Sequence, residues 1–353
     1  MSEAAICVVV PVYKAMATLD RCVESVLAQQ VEGGLTCILV DDGSPDESGA
    51  LCDAWAAKDG RVTVIHQDDL GVSGARNSGL AAADSEFIIF LDSDDALRPG
   101  ALQAALTAQR AAPQDFVVWH YTTDEKDPAA VTADAEPRTQ AGLARLWLDC
   151  LLAMPWNKLY RADLAKQLQF DVQYTLGEDL QFVLDYIALL GQTVPEFGYR
   201  VMTSPLTFYD CSRGGTLSTR YHANYCDIWP KHFTKLNAAC HAAACPAEDM
   251  RPLHRAELQV FAEGVADIMR RDPSPTQRLK GYKAAAALRS PWLRALLERM
   301  KIEGCYSAYY LPCRWHNVGL VCRVDEARRA NAPLYGKLDW AGYYLLLGRM
   351  RRD

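Results

Sequence analysis

Phe87-Ile88-Ile89-Phe90-Leu91-Asp92-Ser93-Asp94-Asp95 sets five apolar residues directly before three carboxylates in four positions. An unbroken apolar run of this length reads as a strand buried on both faces, as in a parallel sheet covered by helices. Three carboxylates at its exit repel one another, and they stay charged together only against a cation or a cationic ligand complex. Hard carboxylate oxygens suit Mg²⁺ or Mn²⁺, ions that also bind diphosphates. The competing reading is an Asp-rich turn that caps a helix.

Two other apolar runs end in the same way. Ile6-Cys7-Val8-Val9-Val10 leads into Pro11-Val12-Tyr13-Lys14, and Cys37-Ile38-Leu39-Val40 leads into Asp41-Asp42-Gly43-Ser44-Pro45. A helical pattern follows each loop. Leu19, Cys22, Val23, Val26 and Leu27 share one face in the first; Leu51, Ala54 and Trp55 repeat in the second, after the helix-starting Asp46 and Glu47. Repeated strand–loop–helix units give right-handed crossovers and a parallel sheet whose strand exits share one edge, where ligands bind. Tyr13, Asp41, Asp42, Asp92 and Asp94 are therefore expected to converge. Asp69-Leu70-Gly71-Val72-Ser73-Gly74-Ala75-Arg76-Asn77-Ser78-Gly79, after the expected strand Val62–His66, reads as a glycine-rich loop before an Ala-rich helix. It brings Arg76 to the same edge, to fork onto a phosphate or to pair with a neighbouring Asp. Its spacing matches neither G-x-G-x-x-G nor a P-loop.

Val9–Tyr13, Val40–Ser44, Gly74–Gly79 and Leu91–Asp95, in this order and spacing, resemble the family-2 glycosyltransferases of the GT-A fold, an α/β fold with a mostly parallel central sheet flanked by helices. Trp156-Asn157-Lys158-Leu159-Tyr160 and Gly177-Glu178-Asp179-Leu180-Gln181-Phe182 resemble the subgroup that builds bacterial capsular and exopolysaccharides. The resemblance implies inverting transfer from a nucleotide-diphosphate sugar, most simply a UDP-sugar, to a hydroxyl of a glycan or lipid-linked acceptor. It implies that Pro11, Val12, Tyr13 and Asp41 or Asp42 hold the base, that Asp92 and Ser93 lie by the ribose, and that Arg76 lies near the base or pyrophosphate. Asp94, with Asp92 beside it, would ligate Mn²⁺ or Mg²⁺ bridging the phosphates. Asp95 is left as a sugar-hydroxyl contact or a helix cap.

One-step inversion needs a carboxylate opposite the leaving group. Asp179 is the candidate base and Glu178 the alternative, although both also fit the capping of a helix whose apolar face is Leu180, Val183, Leu184, Ile187 and Leu190. Trp156, Asn157 and Lys158 are candidates for the acceptor site, or for core. Arg213, in the Gly-Gly loop after Tyr209, is a candidate to close over the pyrophosphate, or a solvated loop residue.

The 353 residues, half of them hydrophobic, suffice for a large domain and an appendage. The expected division is a catalytic domain over 1–220 (donor half 1–115, acceptor half 116–220) and a mainly helical region over 221–353. Thr122–Gln140 reads as a surface loop or insertion. Twelve scattered cysteines without metal-ligand spacing, and no signal peptide, point to a reducing cytoplasm. A net charge of −7 argues against nucleic acid as a partner, but it is uneven: residues 289–353 carry twelve Lys/Arg against six Asp/Glu. That basic, aromatic tail, from Trp292 through Tyr309 and Tyr310 to Trp340–Leu347, reads either as a surface for the inner face of a membrane or as a subdomain packing on the rest of the chain or on a second copy. Two other functions compete. An inactive family member would serve as a binding subunit of a polysaccharide-assembly complex. A sugar-phosphate nucleotidylyltransferase would need a glycine-rich basic loop after the first strand, which Pro11–Lys14 does not supply.

Overall fold

The computed structural model describes residues 4–174, 176–212, 220–332 and residue 335. The chain divides into two compact units, Met1–Gly214 and Gly215–Asp353. The first opens with β1 (Ala4–Val12), α1 (Leu19–Leu27), β2 (Leu35–Asp42), α2 (Ser48–Lys58), β3 (Val62–Gln67), α3 (Gly71–Ala82) and β4 (Ser85–Phe90). It continues through β5 (Ala96–Leu97), α4 (Ala101–Ala111), β6 (Phe116–Thr122), β7 (Ala135–Thr139), α5 (Leu143–Leu148), β8 (Lys158–Arg161), α6 (Ala162–Ala165), α7 (Glu178–Thr193) and β9 (Gly198–Phe208).

One mixed sheet runs β3-β2-β1-β4-β8-β6-β9-β5, with β7 on β9. The first four strands are parallel, as the repeated strand–loop–helix pattern requires. β8 runs antiparallel to both β4 and β6 and joins the parallel half to the second half. Val12 lies beside Asp41 in register, and the Leu91 amide donates to the Val9 carbonyl, so the exits of β1, β2 and β4 share one edge. Val8, Val10, Leu39, Ile89 and Leu91 fill the core between this sheet and the inward faces of the helices.

The stretch expected to be a glycine loop is mostly helix, because α3 begins at Gly71 rather than after Gly79. The reason is packing. A Cβ on Gly79 would sit 2.3 Å from Val9 Cγ1 and 3.3 Å from Val40 Cγ2, so the missing side chain lets the helix lie directly on β1 and β2. Thr122–Gln140 is likewise more than a loop, since β7 extends the sheet from within it.

In the second unit, α8 (Tyr225–Ala242), α9 (Ala247–Arg271), α10 (Gln277–Ala287), α11 (Pro291–Glu303), α12 (Tyr310–Arg314) and α13 (Val318–Arg329) surround a core that includes Phe261, Val265, Leu293, Met300, Tyr309 and Tyr310. Leu293, Leu296, Leu297, Met300, Tyr309 and Tyr310, read above as part of a tail for either a membrane surface or a packed subdomain, belong to this core. Their helical spacing serves packing on α9. Trp340–Leu347 lies outside the described residues, among which no helix is long and apolar enough to cross a membrane.

Gly79→Ala should lower stability by about 1–3 kcal/mol despite alanine's better helix propensity, because overpacking against Val9 outweighs it. Urea denaturation checks this; an unchanged or raised midpoint would show that the α3–β1 contact has slack.

Candidate functional site

Arg76 sits in the second turn of α3, only 3 % exposed, and spans two carboxylates from distant parts of the chain. Its Nη1 donates to Asp179 Oδ1 at 2.6 Å and its Nη2 to Asp92 Oδ1 at 2.9 Å. The guanidinium also lies 5.3 Å from the ring centroid of Phe170, which stacks on Phe182 (4.0 Å, 5° between planes) and meets Phe90 edge-on at 5.1 Å. Asn77, one residue on, holds the backbone of Phe170 at both ends: Nδ2 donates to its carbonyl at 2.9 Å and Oδ1 accepts from its amide at 2.8 Å. The helix that carries Arg76 thereby also fixes the aromatic floor beneath it.

Asp179 is the second residue of α7, whose start is set by Gly177 at φ +78°, a left-handed conformation that favours glycine. Burial raises its carboxyl to about 7; Arg76 opposes this, and Glu178 and Asp92 add to it. Its side chain still keeps 29 % of its surface exposed, as does that of Asp92. Glu178 is half-buried beside it.

At the β4 exit, Asp92, Ser93 and Asp94 form a half-buried turn closed by the Asp95 amide donating to the Asp92 carbonyl at 3.0 Å. Asp95 is fully buried. Its Oδ1 accepts from the Asp210 amide at 3.0 Å, and its Oδ2 has no partner. Burial, with the neighbouring Asp92 charge next, raises its pKa to about 9. Asp95 is thus an interior acid that ties the turn to the end of β9, rather than a helix cap or a surface for sugar hydroxyls. Arg21 completes the tie: its Nη2 reaches the Asp94 carbonyl and, at 2.7 Å, Asp210 Oδ2. Among the described residues, this group of Asp92, Asp94, Asp95, Glu178, Asp179 and Asp210 is met by the Arg21 and Arg76 guanidinium groups, and Asp95 Oδ2 is left without a partner. That donor set fits a hard divalent ion held by one or two carboxylates with phosphate oxygens completing its shell.

The first two loops are stapled by serines. The Lys14 amide donates to Ser44 Oγ at 3.3 Å and the Ala15 amide to Ser48 Oγ at 2.9 Å. Pro11 and Val12 are buried within β1, so of these three residues Tyr13, 44 % exposed, presents its side chain to the surface. Asp42 Oδ1 accepts from Gln67 Nε2 and the Leu70 amide at 2.7 and 2.9 Å. Asp41 Oδ2 lies 2.9 Å from His66 Nδ1, and its Oδ1 accepts from the Ser44 amide. Hydrogen bonds to Asp41 and Asp53 raise the His66 pKa above its usual value.

The acceptor-side trio faces inward. Lys158 is fully buried and donates at 2.6 Å to the Leu151 and Met154 carbonyls and to Asn157 Oδ1. Burial lowers its pKa well below the lysine range, with Asp179 pulling the other way. Asn157 Nδ2 serves the Trp119 and Leu151 carbonyls, and Trp156 stacks on Tyr209 at 5.4 Å. Asn157 and Lys158 hold the 151–158 segment, because a buried polar group must spend its hydrogen bonds within the protein. Arg213 lies outside the described residues. Arg21 and Asp210 escaped the sequence reading. The only available signal was an arginine opening onto an otherwise apolar helix face and an aspartate directly after a strand.

The site is therefore an acidic turn at a strand exit of a half-parallel sheet, bridged through Arg76 to a carboxylate at a helix start. Residues 7–169 match the family model of glycosyl transferase family 2. It is 40 % identical over 129 residues to glycosyltransferase GlyG of Streptococcus pneumoniae serotype 4, covering 36 % of this chain and 42 % of that protein. The chain spans about half the length of the curated relatives it matches. S. aureus TarS 1–349 in complex with UDP-GlcNAc superposes with a TM-score of 0.60 at 17 % identity, over 93 % of this chain and 92 % of that one. The mannosyltransferase PcManGT of Pyrobaculum calidifontis, solved with GDP-Man and Mn²⁺, superposes with a TM-score of 0.50 at 17 % identity over 90 % and 87 %. The fold is GT-A, with a helical C-terminal region, as the motif order implies.

Arg76→Ala should cost about 3 kcal/mol by leaving two partly buried carboxylates uncompensated, and Arg76→Lys should recover less than half, since one ammonium cannot fork between them. Urea denaturation of both variants measures this; a loss below about 1 kcal/mol for Arg76→Ala would mean the carboxylates do not depend on it.

Proposed function

We propose that this protein is a metal-dependent inverting glycosyltransferase that moves a sugar from a UDP-sugar to a hydroxyl of a growing, lipid-linked glycan. The observation that carries the reading is the Arg76 bridge. One guanidinium couples the acidic turn on the donor side of the sheet to Asp179, a carboxylate held partly open at a helix start. Two further findings support it: the family match of residues 7–169, and GT-A neighbours solved with UDP-GlcNAc and with GDP-Man and Mn²⁺.

In this reading Asp179 accepts the proton of the acceptor hydroxyl as its oxygen bonds to the anomeric carbon. The bond from that carbon to the diphosphate breaks on the opposite face, and the electron pair leaves with UDP. Asp94, with Asp92, would hold the divalent ion, which supplies Lewis-acid stabilisation to the departing diphosphate. Arg76 orients Asp92 and Asp179 together. Tyr13 offers the exposed ring against which a base can lie, and Asp41 and Asp42 shape the loop behind it.

A donor-hydrolysis and transfer screen with a panel of nucleotide sugars and Mn²⁺ tests the function. Asp94→Ala should lose Mn²⁺-dependent UDP binding by calorimetry, whereas Asp179→Asn should bind UDP normally and lose turnover by about a hundredfold or more. If UDP binding in the parent protein is insensitive to Mn²⁺ and no donor turns over, the binding-subunit reading replaces this one.

The pH profile follows from the environment of Asp179. A base with its pKa raised to about 7 is ionised above that value and protonated below it. The acid limb of kcat/KM should therefore fall near pH 7, with activity declining as pH drops through it. A limb near pH 4 would point to an ordinary, unraised carboxylate and away from Asp179 in this environment.

A further inference from the structure

Within the helical unit, α11 ends at Glu303, and Gly304 at φ +64° reverses the chain so that the Cys305 amide returns to the Met300 carbonyl. This turn places Cys305 Sγ 3.5 Å from Glu303 Oε2. From α9, His254 Nδ1 approaches the same oxygen at 2.7 Å. The three donor atoms all lie within 4.8 Å of one another, with His254 1 % and Cys305 5 % exposed.

Neither neutral tautomer of His254 satisfies both of its neighbours. Asn237 Nδ2 donates to the Phe233 carbonyl at 2.8 Å and to Glu257 Oε1 at 2.7 Å, which fixes its Oδ1 as the atom 3.1 Å from His254 Nε2. That oxygen calls for a hydrogen on Nε2. In the neutral ring Nδ1 is then bare, and its lone pair points at the Glu303 carboxylate. The opposite tautomer satisfies Glu303, and Arg299 Nη1 at 3.3 Å can donate to Nε2, but the Nε2 lone pair then faces Asn237 Oδ1. A positive group on Nδ1, either a second proton or a metal ion, satisfies both sides.

We propose that His254, Glu303 and Cys305 form a binding site for a divalent transition-metal ion, with zinc the best match to one imidazole, one carboxylate and one thiolate. His254 binds through Nδ1 while its Nε2–H donates to Asn237, the outer hydrogen bond that orients a metal-bound histidine, and Glu257 fixes Asn237 in turn. Zinc–ligand bonds of about 2.0–2.3 Å separate tetrahedral ligands by roughly 3.5 Å, so the His254–Glu303 distance opens by less than about 1 Å. Glu303, 27 % exposed at a helix end, has room to move. Binding releases the Cys305 thiol proton to solvent, leaving a thiolate on the metal. Of the three ligands, Cys305 also lines a cavity of about 540 Å³, together with Tyr306, Ser307, Arg251 and Arg255.

Cobalt(II) titration of the full-length protein tests the site, because a thiolate-to-cobalt charge-transfer band reports sulfur ligation and is silent for the all-oxygen turn at Asp92–Asp95. One equivalent should produce this band together with the intense visible bands of four-coordinate cobalt, and zinc should displace it. Cys305→Ser should abolish the charge-transfer band with far-UV circular dichroism unchanged. Glu303→Gln should keep the band but weaken cobalt affinity by about tenfold or more. Asp94→Asn should leave the band intact. Absence of the band in the parent protein at one equivalent overturns the proposal by itself, showing that a proton alone occupies the cluster. Persistence of the band in Cys305→Ser overturns it too, by assigning the sulfur to another cysteine.

Discussion

The Arg76 guanidinium is the constraint on which the first unit of the molecule depends. It is buried, so its charge has to be met, and the two carboxylates that meet it come from the β4 exit and the start of α7. Each would be costly to crowd toward the other without it. The aromatic stack of Phe170, Phe182 and Phe90 supports the guanidinium from below, and glycine 79 lets its helix approach the sheet closely enough to reach. Packing, charge and the position of Asp179 are one arrangement.

Much of this was legible because it is local. Apolar runs ending in polar loops announced β1, β2 and β4, and parallel connectivity alone brought their exits to one edge. The helical period of Leu180, Val183, Leu184, Ile187 and Leu190 announced α7 and placed Asp179 at its start. What failed were inferences from residue type without tertiary partners. Glycines between Gly71 and Gly79 suggested a loop, whereas their smallness serves helix–sheet contact. Trp156, Asn157 and Lys158 have the chemistry of a sugar site, but they are spent on stacking and on backbone carbonyls. Asp95, Arg21 and Asp210 form a tie across more than a hundred residues, and no local pattern marks such a tie.

The helical unit shows the same ambiguity differently resolved. A basic and aromatic tail is compatible with lipid, but most of its described apolar residues pack onto α9. Polar residues deep in that unit, among them Asn237, Glu257 and His254, form a hydrogen-bonded chain that an apolar core of equal volume would not need. Fully satisfied networks of this kind fix one arrangement of a core.

The two-point grip of Asn77 on Phe170 uses only main-chain atoms at position 170. A bond of that kind is blind to the side chain it holds. Segments joining the two halves of the sheet can therefore drift in sequence while their path over α3 stays put. Substitution at position 170 itself leaves intact the hold that sets the path of the chain toward Asp179, nine residues later.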